Sequence, residues 1–198
     1  MAKASDSKGK TGAKEKTLAA AAKLFSQRGY HGTALDDILS VGGAPRGSLY
    51  FHFPNGKEEI GEAALALGAE AVRAFIAHAA ATSQTADAFV TALARGMGAN
   101  LEGSGYCEGC PVATIALETA AQMEALGDAA RAAFLSWESE IKRALVRFGM
   151  KAADADRAAT AVLAQLEGAL LLSRTYRSLE PMRRAEKALA LLVGKAAK

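Results

Sequence analysis

The chain has 198 residues, a net charge of +3, 51% hydrophobic residues, four prolines and two cysteines. That length holds one larger domain or two small ones, and the Ala-rich, Pro-poor composition favours an all-helical protein with a sizeable core. Two cysteines are too few for a secreted disulfide scaffold, and the polar N-terminus lacks the apolar stretch of a secretory signal. The most apolar run, Ala158 to Ser173, contains Gln165 and Glu167 and is too short for a membrane span. A cytoplasmic protein, with no membrane partner, is expected.

In chain order, residues 1–13 read as a disordered basic tail able to touch phosphates without specificity. Lys14 to Arg28 is predicted helical, with Leu18, Ala21, Ala22 and Phe25 on one face and Gly29 as its stop. Thr33 is a plausible N-cap for the next helix, whose apolar stripe is Leu35, Ile38 and Leu39. Gly42-Gly43 breaks that helix. Pro45 stands where a missing N–H is tolerated and opens a short helix to His52. Leu49 and Phe53 point inward on this reading, leaving Arg46, Gly47, Ser48, Tyr50 and His52 as a slim face of hydrogen-bond donors. Three helices in this spacing, over residues 14–56, make a helix-turn-helix (HTH) whose third helix meets the major groove. Charge agrees: residues 1–60 hold nine Lys/Arg against six Asp/Glu, while residues 61–198 hold fifteen of each.

Beyond the HTH, Ile60, Ala64, Leu67, Ala71 and Phe75 recur on one face of a long helix from Lys57 to about Ala80. A helix from Thr85 to Leu101 carries Phe89, Leu93 and Met97. A glycine-rich loop follows, and then a short helix opened by Pro111. The next long helix, Glu124 to Phe148, carries Phe134, Trp137 and Ile141 and stops at Gly149. Asp154 opens another to about Tyr176, and Pro181 opens the last, with Ala185, Leu189 and Leu192 on one side. About nine helices are expected, with no strand and no internal repeat. The Asp154–Tyr176 helix is apolar nearly all round between Ala158 and Leu172, so it needs cover on both sides. A homodimer through the two C-terminal helices follows, with Val162, Leu166, Leu170, Ser173, Met182, Ala185, Leu189 and Leu192 as its expected interface.

The segments AAAKLFSQRGYHGTALDDIL and GSLYFHFPNGKEEI resemble the N-terminal domain of the TetR family of one-component transcriptional regulators. The carrying residues are Phe25, Gly29-Tyr30, Gly32-Thr33, the acidic pair before Ile38, Gly47-Ser48-Leu49-Tyr50, His52-Phe53 and Lys57. Pro54-Asn55-Gly56-Lys57 and Gly109-Cys110-Pro111-Val112-Ala113 resemble its LmrA/YxaF-like branch. Gly43-Ala44 and Leu39-Ser40 depart mildly from the family pattern. The resemblance implies an all-α protein in which residues 57–198 form a ligand-binding and dimerisation domain, with a four-helix bundle at the dimer interface. It also implies a repressor, released by a small apolar or aromatic inducer, whose two-fold dimer binds a palindromic operator in double-stranded DNA.

Expected DNA contacts are Thr33, Ala44, Pro45, Arg46, Gly47, Ser48, Tyr50, His52 and Lys57. Arg46 suits a guanine edge or a phosphate. Thr33 matches the family's phosphate-binding helix start, and Tyr50, His52 and Lys57 match its backbone contacts. A regulator of this kind needs a sensing site. Phe89, Met97, Ile115, Leu117, Phe134, Trp137 and Leu166 are candidates to line it, and Thr114, Glu118, Gln165 and Glu167 to anchor a ligand. Plain core packing is the competing account of each apolar residue. Cys107 and Cys110 form a lone CxxC with no second half to complete a zinc site. They read chiefly as packing cysteines, with a redox-responsive regulator or an activator on the same fold as the alternative function. No catalytic constellation, metal site or cofactor motif is present in the pattern.

Overall fold

A computed structural model of the chain describes residues 4–43 and 46–196, with the side chains of residues 4–11, 13, 48, 195 and 196 outside that description. The described residues form nine helices and no strand. They are α1 (Ala4–Arg28), α2 (Leu35–Gly42), α3 (Arg46–His52), α4 (Lys57–Thr82), α5 (Ala86–Gly103), α6 (Ala113–Thr119), α7 (Glu124–Arg147), α8 (Ala152–Tyr176) and α9 (Glu180–Ala196). The chain divides into two compact units. One comprises residues 1–69 and 111–131, and the other residues 70–110 and 132–198. The unit that holds the HTH therefore includes the start of α4 and all of α6, beyond the expected limit at residue 56.

In the first unit, α1 begins at Ala4, ten residues before the expected start, so most of the segment read as a tail is helical. Once a helix is nucleated, each further residue adds a hydrogen bond, and a polar stretch can extend it without an apolar face. Thr17, Ala20, Ala21, Leu24 and Phe25 are buried on α1, and Ile38, Leu39 and Gly42 on α2. A Cβ on Gly42 would lie 3.3 Å from the Thr17 Cα, so glycine there lets the two helices approach closely. Gly43 adopts φ +65° and ends α2 with its N–H on the Leu39 carbonyl. The N-cap of α2 is Ala34, not Thr33. The carboxylate of Asp37 reaches back to the Ala34 N–H (3.4 Å), one arm of a capping box.

In the second unit, α5, α8 and α9 pack together. Thr85 caps α5 by accepting the Ala88 N–H at 3.1 Å, and Gly149 at φ +95° ends α7. Phe89, Leu93, Trp137, Ile141, Val162, Leu166, Leu189 and Val193 are buried there. The Ser173 hydroxyl, itself fully buried, accepts the Met182 N–H at 3.2 Å and so fixes the turn from α8 into α9. Arg95 of α5 pairs with Glu186 of α9 at 2.8 Å.

Candidate nucleic-acid interface

The third helix carries the face expected to meet DNA. Leu49 and Phe53 are buried and anchor α3 against the unit's core. That orientation leaves Arg46, Gly47, Tyr50 and Phe51 exposed, with Phe51 69% accessible. Such a face presents two donors and an aromatic plane beside a residue with no side-chain bulk, the combination a helix needs to lie against base edges and phosphates. Arg46 Nη2 stands 2.8 Å from Asp36 Oδ1 of α2, with both side chains well exposed. His52 is half-buried, its ring edge-on to Phe51 at 5.1 Å. Ala44 and Pro45, expected at the interface, lie outside the described residues, as does the Ser48 side chain.

Two of the expected DNA contacts have partners within the protein. Thr33 is fully buried, and its hydroxyl donates to the Gly29 carbonyl at 2.8 Å. That side chain stabilises the turn between α1 and α2 and is not available to a phosphate. Lys57, the first residue of α4, is half-buried with its ammonium 4.4 Å from the centroid of the Tyr30 ring. Burial pushes the Lys57 ammonium below its ordinary value, and the negative charge of Glu118 opposes that shift. Burial also raises the Tyr30 hydroxyl, with Glu58 and Glu62 adding to the effect.

Glu118 is where the sequence reading and the structure part most clearly. Expected as a ligand anchor, its carboxylate instead accepts the backbone N–H of His31 at 2.6 Å. Gly29, at φ +76°, lies so close to that carboxylate that a Cβ there would overlap it. Sequence patterning alone offered one signal for this: an acidic residue in the last turn of a short helix, where the helix dipole disfavours it.

The other expected ligand residues are distributed over both units. Thr114, Ile115 and Glu118 belong to the first unit, while Phe89, Met97, Phe134, Trp137, Gln165 and Leu166 belong to the second. Phe89, Trp137, Ile115 and Leu166 are buried, and Gln165 is exposed. Gln165 lines a groove of about 500 Å³ between α8 and α9, with Gly168, Leu172, Tyr176 and Ala188. Cys107 is an exposed free thiol donating to the Gly105 carbonyl at 3.6 Å, and Cys110 is a buried one that donates a hydrogen bond to the Glu167 carboxyl. Among the described residues, no group of three or more His, Cys, Asp or Glu could hold a metal ion, and no helix is long and apolar enough to cross a membrane.

Most of the expected dimer residues face the chain's own interior. Val162, Leu166, Leu170, Ser173, Met182, Ala185 and Leu189 are enclosed by the chain itself, and only Leu192 is exposed. They form the stripe with which α8 and α9 pack on each other and on α5. The large apolar side chains left open on these helices are Leu171, Leu172, Tyr176, Leu191 and Leu192.

Comparison with known proteins decides the family. Residues 18–64 match the model of the bacterial regulatory proteins of the tetR family. Residues 86–188 match that of the C-terminal domain of LmrA/YxaF-like transcriptional regulators. This chain belongs to the TetR family. It is 35% identical over 169 residues to the HTH-type transcriptional regulator LmrA of Bacillus subtilis (strain 168), covering 85% of this chain and 90% of that protein. It is 31% identical over 182 residues to the uncharacterized HTH-type transcriptional regulator YxaF of the same organism, covering 92% and 95%. A solved TetR transcriptional regulator from Chloroflexus aurantiacus J-10-FL superposes with a TM-score of 0.81 at 29% identity, covering 95% of this chain and 97% of that one. As a TetR-family member the chain is a transcriptional regulator and not an enzyme.

Proposed function

We propose that this TetR-family regulator is a cytoplasmic homodimeric repressor that binds a palindromic operator through α3 and releases it when a small apolar or aromatic molecule enters the second unit. The observation that carries the DNA-binding part is the exposed face of α3, with Arg46, Gly47 and Tyr50 outward and Leu49 and Phe53 buried behind them. The dimer rests on the open apolar residues of α8 and α9, which gather on the last two helices where scattered exposure would otherwise be ordinary. A second copy of the same helices covers this face in a two-fold, self-complementary contact. Two-fold symmetry then presents two α3 helices to successive turns of one face of DNA, which is why the operator is palindromic. Helix α4 runs unbroken from Lys57 to Thr82 and carries residues of both units, so it is the element through which ligand binding shifts α3.

The test is selection of bound sequences from random duplex DNA at a stated salt concentration, with the oligomeric state measured in parallel. Enrichment of an inverted repeat by a dimeric protein supports the reading. Absence of any enriched sequence, or enrichment of a single half-site by a monomer, overturns it.

A further inference from the structure

Around Gly29 three elements of the first unit meet. Helix α1 ends at Arg28, Gly29 turns the chain at φ +76°, and the His31 N–H points at Glu118 of α6. The N–H of a tight glycine turn is an anion-binding group, and here the anion is the chain's own carboxylate. Gly29 is what lets it approach, since a side chain at that position would overlap Glu118. Helices α1 and α6 pack beside this contact. The third element is α4, whose first residue, Lys57, lays its ammonium over Tyr30, between Gly29 and His31 in the chain. Tyr30 in turn stacks edge-on with His31 at 5.3 Å and packs tightly against Gly61 of α4, where a Cβ would lie 2.9 Å from the ring. The charge of Glu118 acts on Lys57 and partly offsets the cost of its burial.

Glu118 gains nothing locally from this position. It is the sixth residue of a seven-residue helix, where the helix carbonyls repel a carboxylate. Its interactions lie in the turn after α1 and at the start of α4.

From this geometry we infer that Glu118 is a positioning residue that acts as an internal stand-in for a DNA phosphate: while α6 is docked on the Gly29–His31 turn, Glu118 keeps Lys57 folded against Tyr30 and away from nucleic acid. Withdrawal of α6 frees the ammonium at the N-terminal end of α4 and adds one phosphate contact to the head. Docking of α6 thereby grades DNA affinity through the number of phosphates engaged, separately from base reading by α3. This rests on the reading that the head binds DNA.

The experiment compares the full-length protein with Glu118→Gln, Lys57→Ala and the double variant. Binding to a random-sequence duplex is followed across a NaCl series. Glu118→Gln keeps the size and most of the hydrogen bonding of the side chain and removes its charge. It is expected to bind several-fold more tightly at fixed salt and to steepen the log–log salt slope by about 0.9, the increment for one phosphate. In the Lys57→Ala background the same change is expected to leave the slope unaltered. An unchanged slope in Glu118→Gln, or a steepening that persists without Lys57, overturns the inference.

A second readout needs no DNA. The Lys57 ε-CH2 protons are expected to be shifted upfield by the Tyr30 ring and to relax toward the exposed value in folded Glu118→Gln. If they stay put, Glu118 does not position Lys57, whatever the DNA measurements give. If they move but no protein in the set binds DNA, the DNA-binding reading fails, and with it the phosphate role of Lys57.

Discussion

Arg46, the first residue of α3, is held 2.8 Å from Asp36, the second residue of α2. The outward guanidinium is thus tied to the helix that supports it. An exposed pair of this kind contributes about 1 kcal/mol or less to stability, so the pair matters for where the guanidinium points more than for folding. Arg46→Ala is expected to weaken operator binding by ~1–3 kcal/mol and to relax preference at one base position, with a melting temperature near that of the parent. Fluorescence anisotropy on the selected site and its single-base variants measures both effects. Uniform weakening across all variants would assign Arg46 to a phosphate instead.

Thr33 supports the turn from inside. Thr33→Val keeps the shape, removes the donor to Gly29 and leaves that carbonyl unmatched, for an expected loss of about 1–2 kcal/mol in stability. The salt dependence of DNA binding should not change, because the hydroxyl faces the protein interior. Urea unfolding and a salt titration decide the matter together. A flatter salt slope with unaltered unfolding would mean that Thr33 touches DNA after all.

The two faces of α8 give opposite outcomes. Leu171 is 58% exposed and Leu166 is 2% exposed. Leu171→Asp is expected to yield a folded monomer, since the aspartate is solvated once the partner leaves. Leu166→Asp places a carboxylate in the packed interior and should destabilise the fold by about 3 kcal/mol or more. Light scattering and circular dichroism on the two variants test this. A Leu171→Asp protein that stays dimeric would move the interface elsewhere.

Glu167 makes stability depend on pH in a stated direction. Burial raises its carboxyl above the ordinary 4.5, and the hydrogen bond from Cys110 opposes the shift. Because the folded state then holds the proton more tightly than the unfolded state, stability is greatest below 4.5. It declines as pH rises through the folded value. Glu167→Gln cannot ionise. Its melting temperature relative to the parent should therefore climb as pH increases above 4.5 and level off once the parent's carboxyl is fully ionised. A constant difference across that range would show that Glu167 is solvated in the folded state.

Helix order and most helix ends were legible because they rest on local chemistry. Gly29, Gly43 and Gly149 all adopt positive φ at helix stops. Leu49 and Phe53 could be placed inward from the 3.6-residue period alone. What periodicity does not encode is the identity of the surface a stripe meets. The Val162–Leu166–Leu170–Ser173 stripe is real, yet it packs within the chain, and the exposed Leu171, Leu172 and Tyr176 lie beside it. Leu67 and Ala71 failed for a related reason. On a 26-residue helix a fixed spacing drifts around the axis, and both are exposed while Ala64, Leu65 and Ile76 are buried. The Glu118–His31 bond joins residues 87 positions apart, and one of its two groups is a backbone N–H that carries no side-chain signature. The Asp36–Arg46 pair was within reach, since both lie at facing helix starts, but nothing in the spacing marks it.

Trp137 is the chain's single tryptophan, fully enclosed and edge-on to Phe134 at 5.4 Å, and it belongs to the second unit. The protein therefore carries a built-in optical reporter that is blind to half of what it does. Its emission should be blue and shielded from aqueous quenchers, and an aromatic molecule settling nearby would dim it. Loss of structure confined to the DNA-binding head would leave the same signal almost untouched. Screening small aromatic molecules by tryptophan quenching thus needs no label and no DNA, whereas following the head requires a probe placed there on purpose.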